Sequence, residues 1–196
     1  MTGSQKTERT MNELLRAYRR DEDGVLSFRE AWYEQEEGVV VVNHGVVGHV
    51  SKDDVQSVES DEAAVALLEA FSAQCAEDGF AEIPVEEQHW VVAQFALKTK
   101  DGTERDRYLE RSAVAALTGH FAWRGLGVVD RSTIENGKLN IFLVSPEPSK
   151  AVKAVVSVAR EADLDPTKLT VGVAPYSEPE ALKRRHPAGP GATFSL

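Results

Sequence analysis

The sequence predicts an α+β protein built of two parts, and three patterns in the chain predict it. Two strand-like runs, Leu26 to Tyr33 and Gly38 to Asn43, precede one amphipathic helix that begins after Ser60. Residues 90–173 then follow the order strand, helix, strand, strand, helix, strand. Two of these strands flank Asn136-Gly137, a dipeptide typical of a tight β-hairpin because both of its turn positions need positive φ.

Residues 1–24 are expected to form a helical extension. A short helix is predicted from Met11 to Arg20 because apolar and aromatic residues recur there at helical spacing, at Met11, Leu14, Leu15 and Tyr18. The acidic run that follows, with Gly24 at its end, is expected to stop this helix.

Residues 25–86 are expected to form the first domain. After the two longer strands, Val46 to Val50 is predicted to form a third, short one. Ser60 is a favourable N-cap for the helix, because its hydroxyl can accept a hydrogen bond from a free backbone N–H group. Gly79 stands where a helix commonly ends in the left-handed conformation.

Residues 87–176 are expected to form the second domain, and residues 177–196 a flexible tail. The strands of the second domain are predicted at Trp90 to Leu97, Val128 to Glu135, Lys138 to Val144 and Leu169 to Val173. Its helices are predicted from Arg105 to about Trp123 and after Ser145. The segment Ser145-Pro146-Glu147-Pro148 is expected to start the second helix, with proline in the first turn, where its missing N–H group has no partner to lose.

Residues 25–83 resemble the WGR domain. The segment His44-Gly45-Val46-Val47-Gly48 keeps the two glycines of the family pattern Trp-Gly-Arg-x-Gly, while His44 and Val46 stand in place of the tryptophan and the arginine. Gly79-Phe80 stands where the family helix ends in Gly-Tyr. The resemblance implies an antiparallel sheet with one helix, and family members include nucleic-acid-sensing modules.

Residues 89–176 look like an uncharacterised type of bacterial ferredoxin-like domain. The segments that carry the resemblance are Gly127 to Asp130 and Asn136 to Val144, followed by a helix and a strand at the expected spacing. The resemblance implies a βαββαβ sandwich with its strands in the order 4-1-3-2, and it implies no activity.

Strands one and three of that sheet are apolar on both faces, and this pattern predicts the candidate binding site. Two helices can cover only one face, so the side chains on the other face need a different cover or form an exposed apolar patch. The residues concerned are Trp90, Val92, Phe142 and Val144. We expect them to bind a protein partner or a second copy of the chain, or to form a core between the two domains.

Charge is distributed unevenly along the chain. Residues 1–85 carry 7 basic and 18 acidic side chains, a net charge of −11, whereas residues 86–196 carry 15 basic and 14 acidic ones. An acidic half repels phosphate backbones and disfavours nucleic-acid binding. A nucleic-acid role would therefore need a local basic patch, for which the tail offers Lys183, Arg184 and Arg185.

No residue pattern indicates an enzyme, a cofactor or a metal site. Cys75 lies on the apolar stripe of the first helix, as a buried small side chain would. The five histidines lack the spacing of zinc ligands, and Gly125-Leu126-Gly127 follows a helix, whereas a phosphate-binding loop precedes one. The acidic clusters occupy loops, where no burial separates the pKa values of two carboxyl groups.

The sequence thus predicts a non-enzymatic binding, adaptor or regulatory protein of the bacterial cytoplasm, without cofactors. The single cysteine fits a reducing compartment, and neither a membrane span nor an apolar leader is expected. A nucleic-acid-binding protein that uses the WGR-like half and the basic tail is the alternative.

Overall fold

The computed structural model describes residues 14–189 and 194–196, which form a mixed α+β structure. The described residues divide into two compact units, one formed by the described part of residues 1–45 with residues 51–82, and one by residues 46–50 with the described part of residues 83–196. Within the part of the chain that the structure describes, no helix is both long and apolar enough to cross a membrane.

The first unit is a four-stranded antiparallel sheet with one helix. Its strands lie in chain order and are β1 Leu15–Arg20, β2 Leu26–Glu34, β3 Val39–Val46 and β4 Lys52–Ser57. Helix α1, Asp61–Glu77, packs its buried Ala64 against Tyr33 and Val40. As predicted, the Ser60 side chain caps this helix by accepting a hydrogen bond from the Ala63 N–H group, and Gly79 follows it with a φ of +76°.

The helix predicted from Met11 to Arg20 is wrong for every described residue within it, because Leu15–Arg20 forms strand β1. Residues 11–13 lie outside the described residues. Apolar spacing favoured a helix, but β1 pairs antiparallel with β2, and Arg16 lies opposite Glu30. The two side chains form an ion pair and are 13% and 3% exposed, so a charged residue is part of the buried side of this strand.

The short strand predicted at Val46 to Val50 is also wrong beyond Val46, the last residue of β3. Here the chain turns, with Gly48 at a φ of +89° and the His49 N–H group bonded to the Val46 carbonyl. The next strand is β4, and all six of its residues are exposed. A strand without a buried side has no alternating apolar pattern by which the sequence could reveal it.

The second unit is a five-stranded sheet with two helices. In chain order its elements are β5 His89–Ala96, α2 Glu104–Ala122, β6 Val128–Glu135, β7 Lys138–Ser145, α3 Pro148–Glu161, β8 Leu169–Pro175 and β9 Lys183–His186. The spatial order is β6-β7-β5-β8-β9, with each neighbouring pair antiparallel. The first four strands of this unit therefore have the predicted order, with β5 and β7 in the interior of the sheet.

One face of this sheet and the two helices form the core of the second unit. Alternate residues of the strands turn to this face and are buried, for example Val91, Ile141 and Val171. Leu117 and Phe121 of α2 and the buried side of α3 complete the core. The hairpin between β6 and β7 has the predicted turn, with φ of 53° at Asn136 and 75° at Gly137.

The part of the chain predicted as a loose tail contains regular structure. Strand β9, Lys183–His186, pairs with β8 and becomes the edge of the five-stranded sheet. Its sequence is Lys-Arg-Arg-His, which has no apolar alternation, and charged side chains are a common means of protecting an edge strand from pairing further. A segment of such composition resembles a solvated tail in the sequence.

Candidate functional site

The four residues predicted as the apolar binding surface lie together on the side of the second unit's sheet that its helices leave uncovered. Trp90 of β5 lies directly opposite Val144 of β7, and Val92 lies opposite Phe142. We call this side the helix-free face. It also carries Gln94, Asn140, Lys138 and, on β8, Gly172 and Ala174.

The helix-free face is covered by residues of the second unit itself. Val92 is fully buried, Phe142 and Val144 are 7% and 6% exposed, and Trp90 is half-buried. Tyr176, just after β8, stacks on Trp90 with its ring centroid 4.8 Å away and an angle of 17° between the planes. Trp90 also meets Phe142 edge to face at 6.2 Å.

Arg131 completes this aromatic cluster. Its guanidinium lies 4.1 Å from the ring centroid of Phe142 and 5.1 Å from that of Trp90, and it pairs with Asp130 at 2.6 Å. A β-bulge between Val129 and Arg131 inserts one residue into β6. Without that extra residue Arg131 would point to the opposite face, so the bulge positions the cation over the rings.

Next to the cluster lies an apolar cleft of about 310 Å³. Three segments line it: the sheet strands, the chain that follows β8, and the described segment 194–196. The lining residues are Trp90, Val92, Arg131, Phe142, Tyr176, Pro179, Leu182 and Leu196. The cleft thus combines large apolar surfaces with a single cation, which is the side-chain chemistry that dominates protein–protein binding energies.

A polar strip borders the cleft further along the same two strands. The Gln94 amide donates to Asn140 Oδ1 at 2.7 Å and to the Ser195 carbonyl at 2.9 Å. Lys138 Nζ donates to the same carbonyl at 2.7 Å and to Ser195 Oγ at 3.1 Å. This strip was not predicted from the sequence, although two amide side chains on otherwise apolar central strands were a visible signal.

The three basic residues proposed from the sequence lie on strand β9. Lys183 and Arg185 are exposed, whereas Arg184 is half-buried and pairs with Gly172 of β8. The Arg184 Nε atom is buried without a hydrogen bond among the described residues. The three side chains therefore do not form one continuous exposed patch.

A second cleft, of about 330 Å³, lies between α2, α3 and residues 48–49. Lys150 Nζ, one of its lining groups, donates to the Val47 carbonyl at 2.9 Å. Burial and the neighbouring charge of Arg124 lower the pKa of His120, so this imidazole is mainly neutral at pH 7. Charged groups of both signs line the cleft, including Arg124, Lys153 and Glu161.

The groups considered for covalent or metal chemistry have ordinary structural surroundings. Cys75 is buried in the first unit, and burial raises the pKa of its thiol, which disfavours the thiolate needed for nucleophilic attack. Across residues 14–189 and 194–196, no three His, Cys, Asp or Glu side chains cluster in a way that could hold a metal ion.

Comparison of the chain with protein-family models, with curated proteins and with solved structures found no match. The helix-free face and its cleft unite the predicted residues with aromatic, cationic and hydrogen-bonding groups.

Proposed function

We propose that the chain is a non-enzymatic adaptor or regulatory protein whose helix-free face binds a segment of a protein partner. The observation that carries the proposal is the cleft beside Trp90, in which aromatic and aliphatic side chains surround one arginine. Its volume of about 310 Å³ is at the lower end of the range for binding pockets, about 300–1,000 Å³, and suits one or two bulky side chains.

The family resemblances and the cellular location belong to the same proposal. A WGR-like first unit and a ferredoxin-like second unit agree with the observed element order, and neither resemblance brings catalytic residues. A bacterial cytoplasmic protein is consistent with one buried thiol and no second cysteine.

Nucleic acid is the alternative partner, and the arrangement of the aromatic rings disfavours it. Single-stranded bases bind sheet surfaces by stacking on exposed aromatic rings. Trp90 already stacks on Tyr176 and has Arg131 over its ring, while Phe142 is 7% exposed. A base would have to displace one of these contacts. The net charge of −10 adds a repulsive contribution.

Affinity capture with matched tryptophan variants tests the proposal. The full chain, its Trp90→Ala variant and its Trp123→Ala variant are immobilised and exposed to the same cell extract, with and without nuclease. Trp123 is the control because it lies in the same unit, is 45% exposed and does not line the cleft. We expect a protein that resists nuclease to be retained by wild type and Trp123→Ala, and reduced about 10-fold or more by Trp90→Ala.

Two outcomes would contradict the assignment. Equal retention by all three chains would place the partner elsewhere on the molecule. Loss of every retained protein on nuclease treatment would favour the nucleic-acid alternative, above all if neutralising Lys183, Arg184 and Arg185 also reduced binding in a salt-dependent way. Circular dichroism of each variant, and a Leu182→Ala variant at the other side of the cleft, separate loss of the site from loss of the fold.

A further inference from the structure

The helix-free face already holds a short peptide segment, Phe194-Ser195-Leu196, which belongs to the same unit. Leu196 lines the apolar cleft with Trp90, while Ser195 contacts the polar strip. Phe194 lies against β8. The inference below rests on the proposed function, because it specifies which kind of partner segment this face binds.

Gly172 makes room for the first side chain of this segment. A Cβ atom added to Gly172 would stand 2.8 Å from two carbon atoms of the Phe194 ring, closer than real Cβ contacts come. The φ of Gly172 is not in the left-handed region, so the backbone itself does not require glycine. Because Gly172 has no side chain, the Phe194 ring can lie close to the sheet at the middle of β8.

The middle residue is bound through its backbone. The Ser195 carbonyl accepts two hydrogen bonds, one from the Gln94 amide at 2.9 Å and one from Lys138 Nζ at 2.7 Å. Lys138 Nζ also donates to Ser195 Oγ at 3.1 Å. Both bonds to the carbonyl are nevertheless available to any residue, so a hydroxyl at this position is not required. Gln94 is held in position by its second bond, to Asn140 at 2.7 Å.

The last side chain of the segment lines the cleft and leaves it open. Leu196 is 54% exposed and lines the cleft together with Trp90, Phe142 and Leu182. An incompletely buried aliphatic group gains less free energy than a buried one, since the hydrophobic contribution grows with the apolar area removed from water. A ligand with a deeper apolar group at this position would therefore bind more tightly than the chain's own segment.

We propose that the helix-free face is a receptor for an extended protein segment with an aromatic residue, any residue and an aliphatic residue in succession. Phe194–Leu196 occupies that receptor within the chain and competes with the partner. The aromatic ring of the partner packs on Gly172, its middle carbonyl accepts from Gln94 and Lys138, and its aliphatic side chain enters the cleft beside Trp90.

A labelled peptide measures this competition directly. The probe is a fluorescein-labelled, amidated hexapeptide with the sequence of residues 191–196, Gly-Ala-Thr-Phe-Ser-Leu, and its anisotropy is followed during titration with full-length protein. We expect the Phe194→Ala/Leu196→Ala double variant to bind the probe at least about 10-fold more tightly than wild type, because a tethered competitor acts at an effective concentration of order mM. A control probe, Gly-Ala-Thr-Ala-Ser-Ala, should bind neither chain.

Further substitutions, added to the double variant, test whether the probe binds the helix-free face. Gly172→Ala should abolish probe binding, since the added Cβ takes the space of the aromatic ring. Lys138→Ala should weaken binding by about 5-fold or more through the lost bond to the carbonyl, and this residue's side chain is not part of the core. If circular dichroism shows that Gly172→Ala does not fold, Lys138→Ala still tests whether the probe binds this face.

Three results would overturn the inference. Equal binding of the probe to wild type and double variant would show that the probe does not share the face with Phe194–Leu196. Absence of probe binding to the double variant would show that the face does not bind this class of peptide. The proposed function would still hold in that case if the capture experiment retained a protein whose binding is lost in Trp90→Ala. A wild-type dimer that the double variant converts to a monomer in sedimentation would identify a second copy as the occupant.

Discussion

At the scale of single residues, the first unit depends on a carboxylate buried within its sheet. Glu30 is 2% exposed and accepts hydrogen bonds from Arg16 Nε, at 2.6 Å, and from the Asn43 amide. Burial by itself would lower the pKa of Arg16, but the charge of Glu30 and the hydrogen bonds to Glu30 and Tyr18 outweigh it and raise that pKa. Three neighbouring strands, β1, β2 and β3, are thus joined by one charged network.

Removing Glu30 should destabilise the protein strongly. In Glu30→Ala the Arg16 guanidinium, whose side chain is 13% exposed, would lose its ion pair with the buried carboxylate, and the Asn43 amide would lose its acceptor. We expect the free energy of unfolding in urea to fall by about 3–5 kcal/mol. Glu36→Ala, at an exposed position of the loop after β2, is the matched control and should change the free energy by less than about 0.5 kcal/mol. Similar losses in the two variants would show that the buried network contributes nothing specific.

At the scale of elements, the connection from α2 to β6 depends on one glycine. Gly127 has a φ of +117°, and a Cβ atom there would lie 1.9 Å from the Val144 carbonyl oxygen of β7. The start of β6 can therefore approach β7 only without a side chain at this position. In the sequence this glycine is recognisable only as part of Gly125-Leu126-Gly127, which follows a predicted helix, and the close approach of the two strands is visible only in the structure.

Substituting two glycines with alanine should have opposite effects. We expect Gly127→Ala to lower the free energy of unfolding by more than about 2 kcal/mol, because backbone atoms of β7 would have to move. Gly119→Ala is the control within α2, where an added Cβ meets nothing within 4 Å, and it should stabilise the protein by up to about 1 kcal/mol. Urea denaturation measures both. A neutral Gly127→Ala variant would show that β6 does not need this approach.

Elements with a clear apolar pattern or specific turn chemistry were predictable from the sequence, whereas strands β1, β4 and β9 were not. Helix α1, strands β2, β5 and β7 and the Asn136-Gly137 hairpin all carry apolar periodicity or specific turn chemistry. Strands β4 and β9 are polar, so only their pairing with a neighbour identifies them. Strand β1 is joined to β2 by the ion pair between Arg16 and Glu30, and a pattern of apolar residues cannot reveal such a pair.

At the scale of the whole molecule, the candidate site was predictable in part. The two-sided apolar character of β5 and β7 led to Trp90, Val92, Phe142 and Val144, because this pattern is local to each strand. The position of Arg131 on this face depends on a bulge in β6. The segment Phe194–Leu196 contacts the face at Gln94, from which it is separated by about 100 residues in the chain. Contacts of such sequence separation are encoded in the packed structure and not in a short motif.

Acid should destabilise both units together, because carboxylates with lowered pKa values hold the ends of their helices. The Arg29 side chain lowers the pKa of Asp78 after α1, and the Thr103 hydroxyl and N–H group lower that of Asp106 in the capping box of α2. As the pH falls below about 4, the ordinary value for such groups, the unfolded chain binds protons first. Their stabilising contribution is complete above that pH and is lost as the pH falls through the lower folded-state values.

Thermal unfolding of wild type and Asp106→Ala between pH 7 and pH 3 isolates this contribution from the general effect of charge. Protonation also relieves the repulsion of a chain with a net charge of −10, but both proteins share that effect. We expect Asp106→Ala to have the lower Tm at pH 7, since it lacks the acceptor of the Thr103 N–H bond. The difference should narrow as the pH falls below about 4, because wild type then loses the same interaction. A difference that stayed constant down to pH 3 would mean that the carboxylate charge of Asp106 does not stabilise the cap.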